Sequence, residues 1–265
     1  MAFSNGYTVG FAFVVCVVCS TALAGVSMGL KETQDDNRRR DLYKNILAAV
    51  DLPAMEYPGG CDPKADPSCV GTRPSISGPE IDKLWAEKIA LKAISPANGS
   101  ELPAEKADLD GNGVFDTEDL KIANDKVRKS GEAPEILGVF VRTDTGAIAM
   151  PMVGKGLWGP ISAYIAFDPN IETVTGTTFF APKETPGLGA EIVNPPFMKQ
   201  WLGKSVVENG ATTPIRVRKP AECDETANPH CVDGVSGATI TSRGVDAMVA
   251  KSLALYEPYI QKVRK

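Results

Sequence analysis

A chain of 265 residues with 43% hydrophobic and 23% charged content can bury a substantial core, as one principal domain plus an appendage. A net charge of −5 with no long basic run argues against nucleic acid as a partner. The single histidine, His230, removes His-rich metal chemistry and most Ser-His or Cys-His triads, so the chemistry expected here belongs to a bound cofactor that the protein positions.

From Thr8 to Leu30 the sequence carries no charge. As a helix this stretch is about 34 Å long, enough to span a bilayer. A cleaved signal peptide is the alternative, because Ala22-Leu23-Ala24 resembles a cleavage site. The absence of a basic leader and the continuation of the apolar run past that site favour an anchor. Cys16 and Cys19 fall inside it, where cysteines among valines read as packing residues. Lys31 and Arg38-Arg39-Arg40 follow the segment and no Lys or Arg precedes it, so charge alone places the rest of the chain in the cytoplasm.

Residues 41–52 have helical periodicity. Tyr57 to Pro79 is rich in Pro, Gly and Ser and contains a loop running from Cys61 to Cys69. A second loop, Cys223 to Cys231, follows the same pattern, C-D-x-x-A-[DN]-P-x-C. Four cysteines allow three pairings, of which a disulfide within each loop is favoured; a zinc site is the alternative, but it lacks the usual C-x-x-C knuckles. A disulfide between Cys223 and Cys231 would brace the stretch that begins at Asp233.

Pro79 to Ile94 reads as an amphipathic helix with Ile81, Leu84, Trp85, Ile89 and Leu91 mostly on one face. After the breaker Ser95 to Gly99, Asp108 to Asp119 has the ligand spacing of an EF-hand loop. Its candidate calcium ligands are Asp108, Asp110, Asn112, the Val114 carbonyl, Asp116 and Asp119. Asp119 stands where a longer Glu normally binds through both oxygens, and the incoming helix is short, so the expectation is a dockerin-like half-site. A solvated acidic turn is the alternative.

From Glu135 the texture turns to strands. Residues 135–154 form two extended runs around Thr143-Asp144-Thr145-Gly146, and residues 161–180 repeat the form around Asp168-Pro169-Asn170. Between the hairpins lies Gly154-Lys155-Gly156-Leu157-Trp158-Gly159, whose tryptophan is either core filler or a wall for a flat ligand. Glu184-Thr185-Pro186-Gly187-Leu188-Gly189-Ala190-Glu191 follows, with Pro-Gly turn chemistry and a glycine that admits close backbone approach. Thr213 to Arg218 is a last strand. Then comes Asp233 to Ser242, DGVSGATITS, with four hydroxyl side chains between Ser236 and Ser242 on very small neighbours. Apolar Val245, Met248, Val249 and Leu253 follow at helical spacing, so the hydroxyls sit at a helix N-terminus, where free N–H groups and the helix dipole attract phosphate. An ordinary Ser/Thr N-cap is the plainer explanation.

DGVSGATITS resembles the flavinylation motif of the FMN-binding domain family, and the Gly154 and Glu184 stretches match that family in the same order. With the N-terminal apolar segment, the chain resembles the flavin-bearing C subunits of bacterial sodium-translocating NADH:quinone reductases. The resemblance covers roughly residues 1–50 and 135–265. The expected fold is α+β, a twisted antiparallel-rich sheet with flanking helices and one N-terminal transmembrane helix, and the EF-hand-like stretch, which lies outside the resemblance, is read as an insertion. The implied divisions are an anchor at 1–30, a membrane-proximal helical segment at 31–57, the insertion at 58–132 and the FMN-binding domain at 133–265.

The same resemblance implies FMN joined to Thr239 by a phosphoester, with Gly156, Leu157, Trp158, Glu184, Thr185, Leu188, Gly189, Ser236, Gly237, Ala238 and Thr241 around it. It further implies a flavin transferase that cleaves FAD, with Asp233 serving its recognition, and partner subunits that carry NADH oxidation, sodium coupling and ubiquinone reduction. The chain itself has no cysteine framework for an iron–sulfur cluster and no intramembrane charge. The resemblance places the soluble part in the periplasm of a bacterial inner membrane, against the reading from basic residues, and the paired cysteine loops side with it. The alternatives are the homologous G subunit of Rnf-type ferredoxin:NAD complexes and a membrane-anchored calcium-binding module without redox function.

Overall fold

The computed structural model describes residues 5–50, 77–111, 115–130, 134–223 and 228–265. The chain divides into two compact units, Met1–Leu42 and Tyr43–Lys265. The Cys61–Cys69 loop lies outside the described residues.

Helix α1 (Asn5–Ala49) is continuous over 45 residues. It joins the two stretches expected as separate helices, because the charged residues between them are good helix formers. Arg38 pairs with Asp35 and Arg39 with Asp36 one turn apart. Among the described residues α1 is the one helix long and apolar enough to cross a membrane. Its apolar side chains face outward, as at Phe13 and Leu23, 69% and 71% exposed. Two hydroxyls of the apolar stretch are satisfied within the helix: Ser20 donates to the Cys16 carbonyl at 2.6 Å and Thr21 to that of Val17 at 2.8 Å. Cys16 and Cys19 are free and exposed.

In the second unit, five antiparallel strands follow one another in chain order: β1 (Ile89–Ile94), β2 (Leu137–Arg142), β3 (Ile148–Lys155), β4 (Pro160–Phe167) and β5 (Val174–Phe180). The two hairpins read from sequence are β2–β3 and β4–β5. Strand β1 corrects the helix expected over Pro79 to Ile94. Helix α2 (Gly78–Lys88) stops at Lys88, and Ile89 to Ile94 pairs residue for residue with Arg142 to Leu137. Six cross-strand partners outweigh the weak helical preference of a segment that begins and ends on β-branched Ile. This edge strand comes from within the 58–132 stretch and belongs to the same sheet as the strands after 133.

Alternation separates the faces. Ile148, Met150, Met152, Ile161, Ile165 and Phe167 meet Val245, Met248, Val249, Leu253, Tyr256 and Ile260 of α6 (Thr239–Val263) in the main core. On the opposite face the C-terminal turns of α1 and helix α2 cover the sheet. Tyr43 stacks on Trp85 at 3.9 Å between centroids, and Trp85 meets Phe140 edge-on at 5.7 Å. Thr178 donates to the Asn45 carbonyl at 3.1 Å, and Ile46 and Leu47 are fully buried. Short helices α3 (Ala104–Ala107) and α4 (Thr117–Ser130) flank the acidic loop. After β5 come a 3-10 turn (Gly189–Val193), α5 (Pro195–Lys199), the small hairpin β6–β7 (Val207–Glu208, Ala211–Thr212), and a parallel pair, β8 (Arg216–Arg218) with β9 (Cys231–Asp233).

Candidate functional site

The turn into α6 decides what each hydroxyl does. Gly237 at φ +76° reverses the chain, and the Ser242 N–H reaches the Ala238 carbonyl at 2.9 Å, so the helix begins at Thr239, one turn before Arg243. No side chain caps it. Ser242, 7% exposed, accepts the Val235 N–H at 3.0 Å and closes the loop from inside. Thr241, 2% exposed, donates to Glu184 Oε2 at 2.5 Å. Ser236 and Thr239 face outward. Two of the four hydroxyls are therefore structural, and Thr239 is the open one on the helix terminus itself.

Glu184 gathers the three sequence motifs. Its carboxylate, 6% exposed, takes the Thr241 hydroxyl on Oε2 and the Trp158 N–H on Oε1 at 2.8 Å. A Cβ at Gly156 would come within 2.5 Å of one carboxylate oxygen, and one at Gly189 within 2.4 Å of the other. Both glycines are walls of this small polar chamber. Burial opposes the charge, yet the Thr241 hydroxyl and the backbone N–H groups of Trp158, Gly159 and Leu157 hold the Glu184 carboxyl below its ordinary value. Glu184 and Thr241, expected around a flavin, thus bind each other.

The remaining motif residues are open. Trp158 is 66% exposed, Leu157 45%, Leu188 44% and Ile240 54%, so Trp158 is no core filler; Trp201 is the fully buried tryptophan. Leu188 approaches the Gly237 turn, and the Thr185 carbonyl holds Leu188 and Ala190 through their N–H groups at 3.1 Å. These four exposed apolar side chains are candidates for an apolar surface that receives a flat aromatic ring. Ile240 escaped the sequence analysis because an apolar residue in a first helical turn reads as core.

Asp233 serves its own loop. It accepts N–H groups from Ala221 at 3.0 Å and Cys223 at 3.2 Å, while its own N–H donates to Gln200 Oε1 at 2.7 Å. Cys223 and Cys231 form the within-loop disulfide expected from the repeat. Beyond Thr239 lies an open pocket lined by Arg216, Arg218, Lys219, Glu222, Arg243 and Asp246, a basic cluster that sequence analysis missed because its members come from two elements that meet only in the fold.

Asp108, Asp110 and Asp119 converge, with one oxygen from each within 4.8 Å of the others. Asp119 is fully buried and accepts three backbone N–H groups, from Leu109, Asp110 and Asp116 at 2.6, 3.2 and 2.8 Å. Asp116 accepts the Glu118 N–H at 2.7 Å. Asn112 and Val114 lie outside the described residues.

The model of the FMN-binding domain family matches residues 156–254, a range that contains Glu184, Thr239 and the apolar surface. Along nearly its full length the chain is similar to the C subunit of the Na(+)-translocating NADH-quinone reductase of Yersinia pestis, at 32% identity over 99% of this chain and 94% of that one. The corresponding protein of Pseudomonas aeruginosa is 30% identical over 93% and 90%. Among solved structures, the C subunit of the Na(+)-translocating NADH-quinone reductase from Parabacteroides distasonis superposes with a TM-score of 0.65 at 29% identity, covering 87% of this chain and 96% of that one.

Proposed function

Because this chain belongs to the family of Na(+)-translocating NADH-quinone reductase C subunits, we propose that it is the one-electron carrier of such a complex and bears FMN through a phosphoester to Thr239. The observation that carries the reading is the sorting of the hydroxyls: Thr241 and Ser242 are buried in hydrogen bonds, whereas Thr239 is exposed at the N-terminus of α6, next in the chain to the exposed Ile240. Bound FMN supplies electron transfer that no side chain here offers. The chain's own residues do the rest. The helix terminus favours the phosphate, the apolar surface takes the ring, and Glu184 fixes the loops that carry both.

Attachment requires a transferase that splits FAD, and NADH oxidation, sodium coupling and ubiquinone reduction belong to partner subunits. A disulfide at Cys223–Cys231 supports a periplasmic domain on a single inner-membrane helix. The near-full-length kinship favours the quinone reductase over the Rnf-type complex. In-gel flavin fluorescence of the chain coexpressed with a flavin transferase tests the proposal. Wild type and Ser236→Ala fluoresce and Thr239→Val does not; fluorescence retained in Thr239→Val overturns it.

Calcium on the Asp108–Asp119 loop is a second reading, favoured by the convergence of three carboxylates whose mutual repulsion a cation relieves. A calcium-dependent rise in Tm that Asp110→Asn abolishes supports it, and a Tm indifferent to calcium contradicts it.

A further inference from the structure

Thr239, Ser242, Arg243 and Asp246 recur at helical spacing on the side of α6 turned away from Glu184, and there they border the open pocket. Its opposite wall is β8 and its continuation through Lys219 and Pro220. Four cations and two carboxylates line it, leaving two positive charges in excess. Arg216 is held by Asp246 at 2.6 Å and Lys219 by Glu222 at 3.6 Å. Arg218 and Arg243 make no ion pair among the described residues.

The backbone under these charges is fixed. Arg218 lies opposite Asp233 in the parallel pair, its carbonyl accepts the Gly234 N–H at 2.7 Å, and the disulfide closes the loop behind it. A fixed backbone keeps the roots of these long side chains in place, while their exposed charged ends stay free to turn towards an anion. Thr239 lines the pocket, while Ile240 and Leu188 are exposed outside its lining.

We propose that this pocket is a phosphoryl-anion site serving Thr239, with Arg218 and Arg243 as its principal binding residues. The inference rests on the reading of Thr239 as the flavin attachment point. In that transfer a Thr239 Oγ–P bond forms, a P–O bond of the donor pyrophosphate breaks with its electron pair leaving on adenosine monophosphate, and the hydroxyl proton passes to solvent; no oxidation state changes. A donor whose flavin half lies on the apolar surface extends its remaining charged half into the pocket. Phosphoryl oxygens reach the pocket from two sources, the pyrophosphate of the incoming donor and the phosphoester once formed.

The test compares the full-length chain, purified without transferase, with the Arg218→Gln/Arg243→Gln variant. Both side chains are exposed, and an unchanged Tm and disulfide content confirm the fold. Titrated with inorganic pyrophosphate, wild type is expected to bind saturably and the variant at least about tenfold more weakly, with salt weakening the wild type towards the variant. No saturable binding by wild type, or equal binding by both, overturns the proposal. Transferase and FAD then separate the sources. Slower FMN incorporation at limiting FAD marks the donor pyrophosphate, whereas normal incorporation with a shifted 31P resonance marks the attached phosphoester. The absence of both changes overturns a role at Thr239. Should wild type accept no FMN at all, the Thr239 reading itself fails, independently of the pyrophosphate result.

Discussion

At Glu184, one carboxylate buried to 6% exposure holds the Trp158 backbone and the Thr241 hydroxyl at once. Glu184→Gln keeps the shape but turns one acceptor into a donor facing donors, an expected loss of about 1–3 kcal/mol in thermal or urea unfolding. The sign of the pH dependence follows from the lowered carboxyl value. Its contribution is complete above the ordinary glutamate range and is lost as pH falls through the lower folded-state value. Wild type is therefore expected to lose stability in acid more steeply than Glu184→Gln, and parallel Tm-versus-pH curves contradict this. The motif resemblance nominates Thr239 and Trp158. Residue type and spacing alone do not separate Thr241 and Ser242 from Thr239, because that division depends on where α6 begins and which of its sides meets β3.

Elements show the same dependence on long-range contacts. The β2–β3 and β4–β5 hairpins are legible because their turns and alternation are local. Strand β1 is not, since Ile81, Leu84, Trp85, Ile89 and Leu91 fit a helical stripe until β2 supplies pairing partners. The parallel β8–β9 pair is equally hidden, as Val232 needs Val217 from the far side of the cysteine loop. Two expectations belong at this scale. A Cβ on Gly244 would lie 2.3 Å from the Lys155 carbonyl oxygen, so Gly244→Ala forces α6 away from β3 at a cost of about 1–3 kcal/mol in unfolding experiments. Replacing Cys223 and Cys231 by Ser is expected to cost about 2–3 kcal/mol through the lost short-loop constraint. Unchanged unfolding midpoints contradict either.

For the molecule as a whole, α1 serves two surroundings in succession. Its apolar stretch is exposed along its length, whereas Ile46, Leu47, Ala49 and Val50 are buried within the second unit. A fragment beginning at Tyr43 is expected to be soluble and cooperatively folded, and one beginning at residue 51 to aggregate because the sheet face under Trp85 and Phe140 loses its cover. Equal solubility of the two fragments contradicts that division of labour. Thr239 is exposed on the surface of the second unit. The most direct test is tandem mass spectrometry of the proteolysed chain after coexpression with a flavin transferase. An FMN-bearing peptide with its modification on Thr239 is the expected result; a modification on Ser236, or an unmodified peptide from a chain exposed to active transferase, contradicts the assignment.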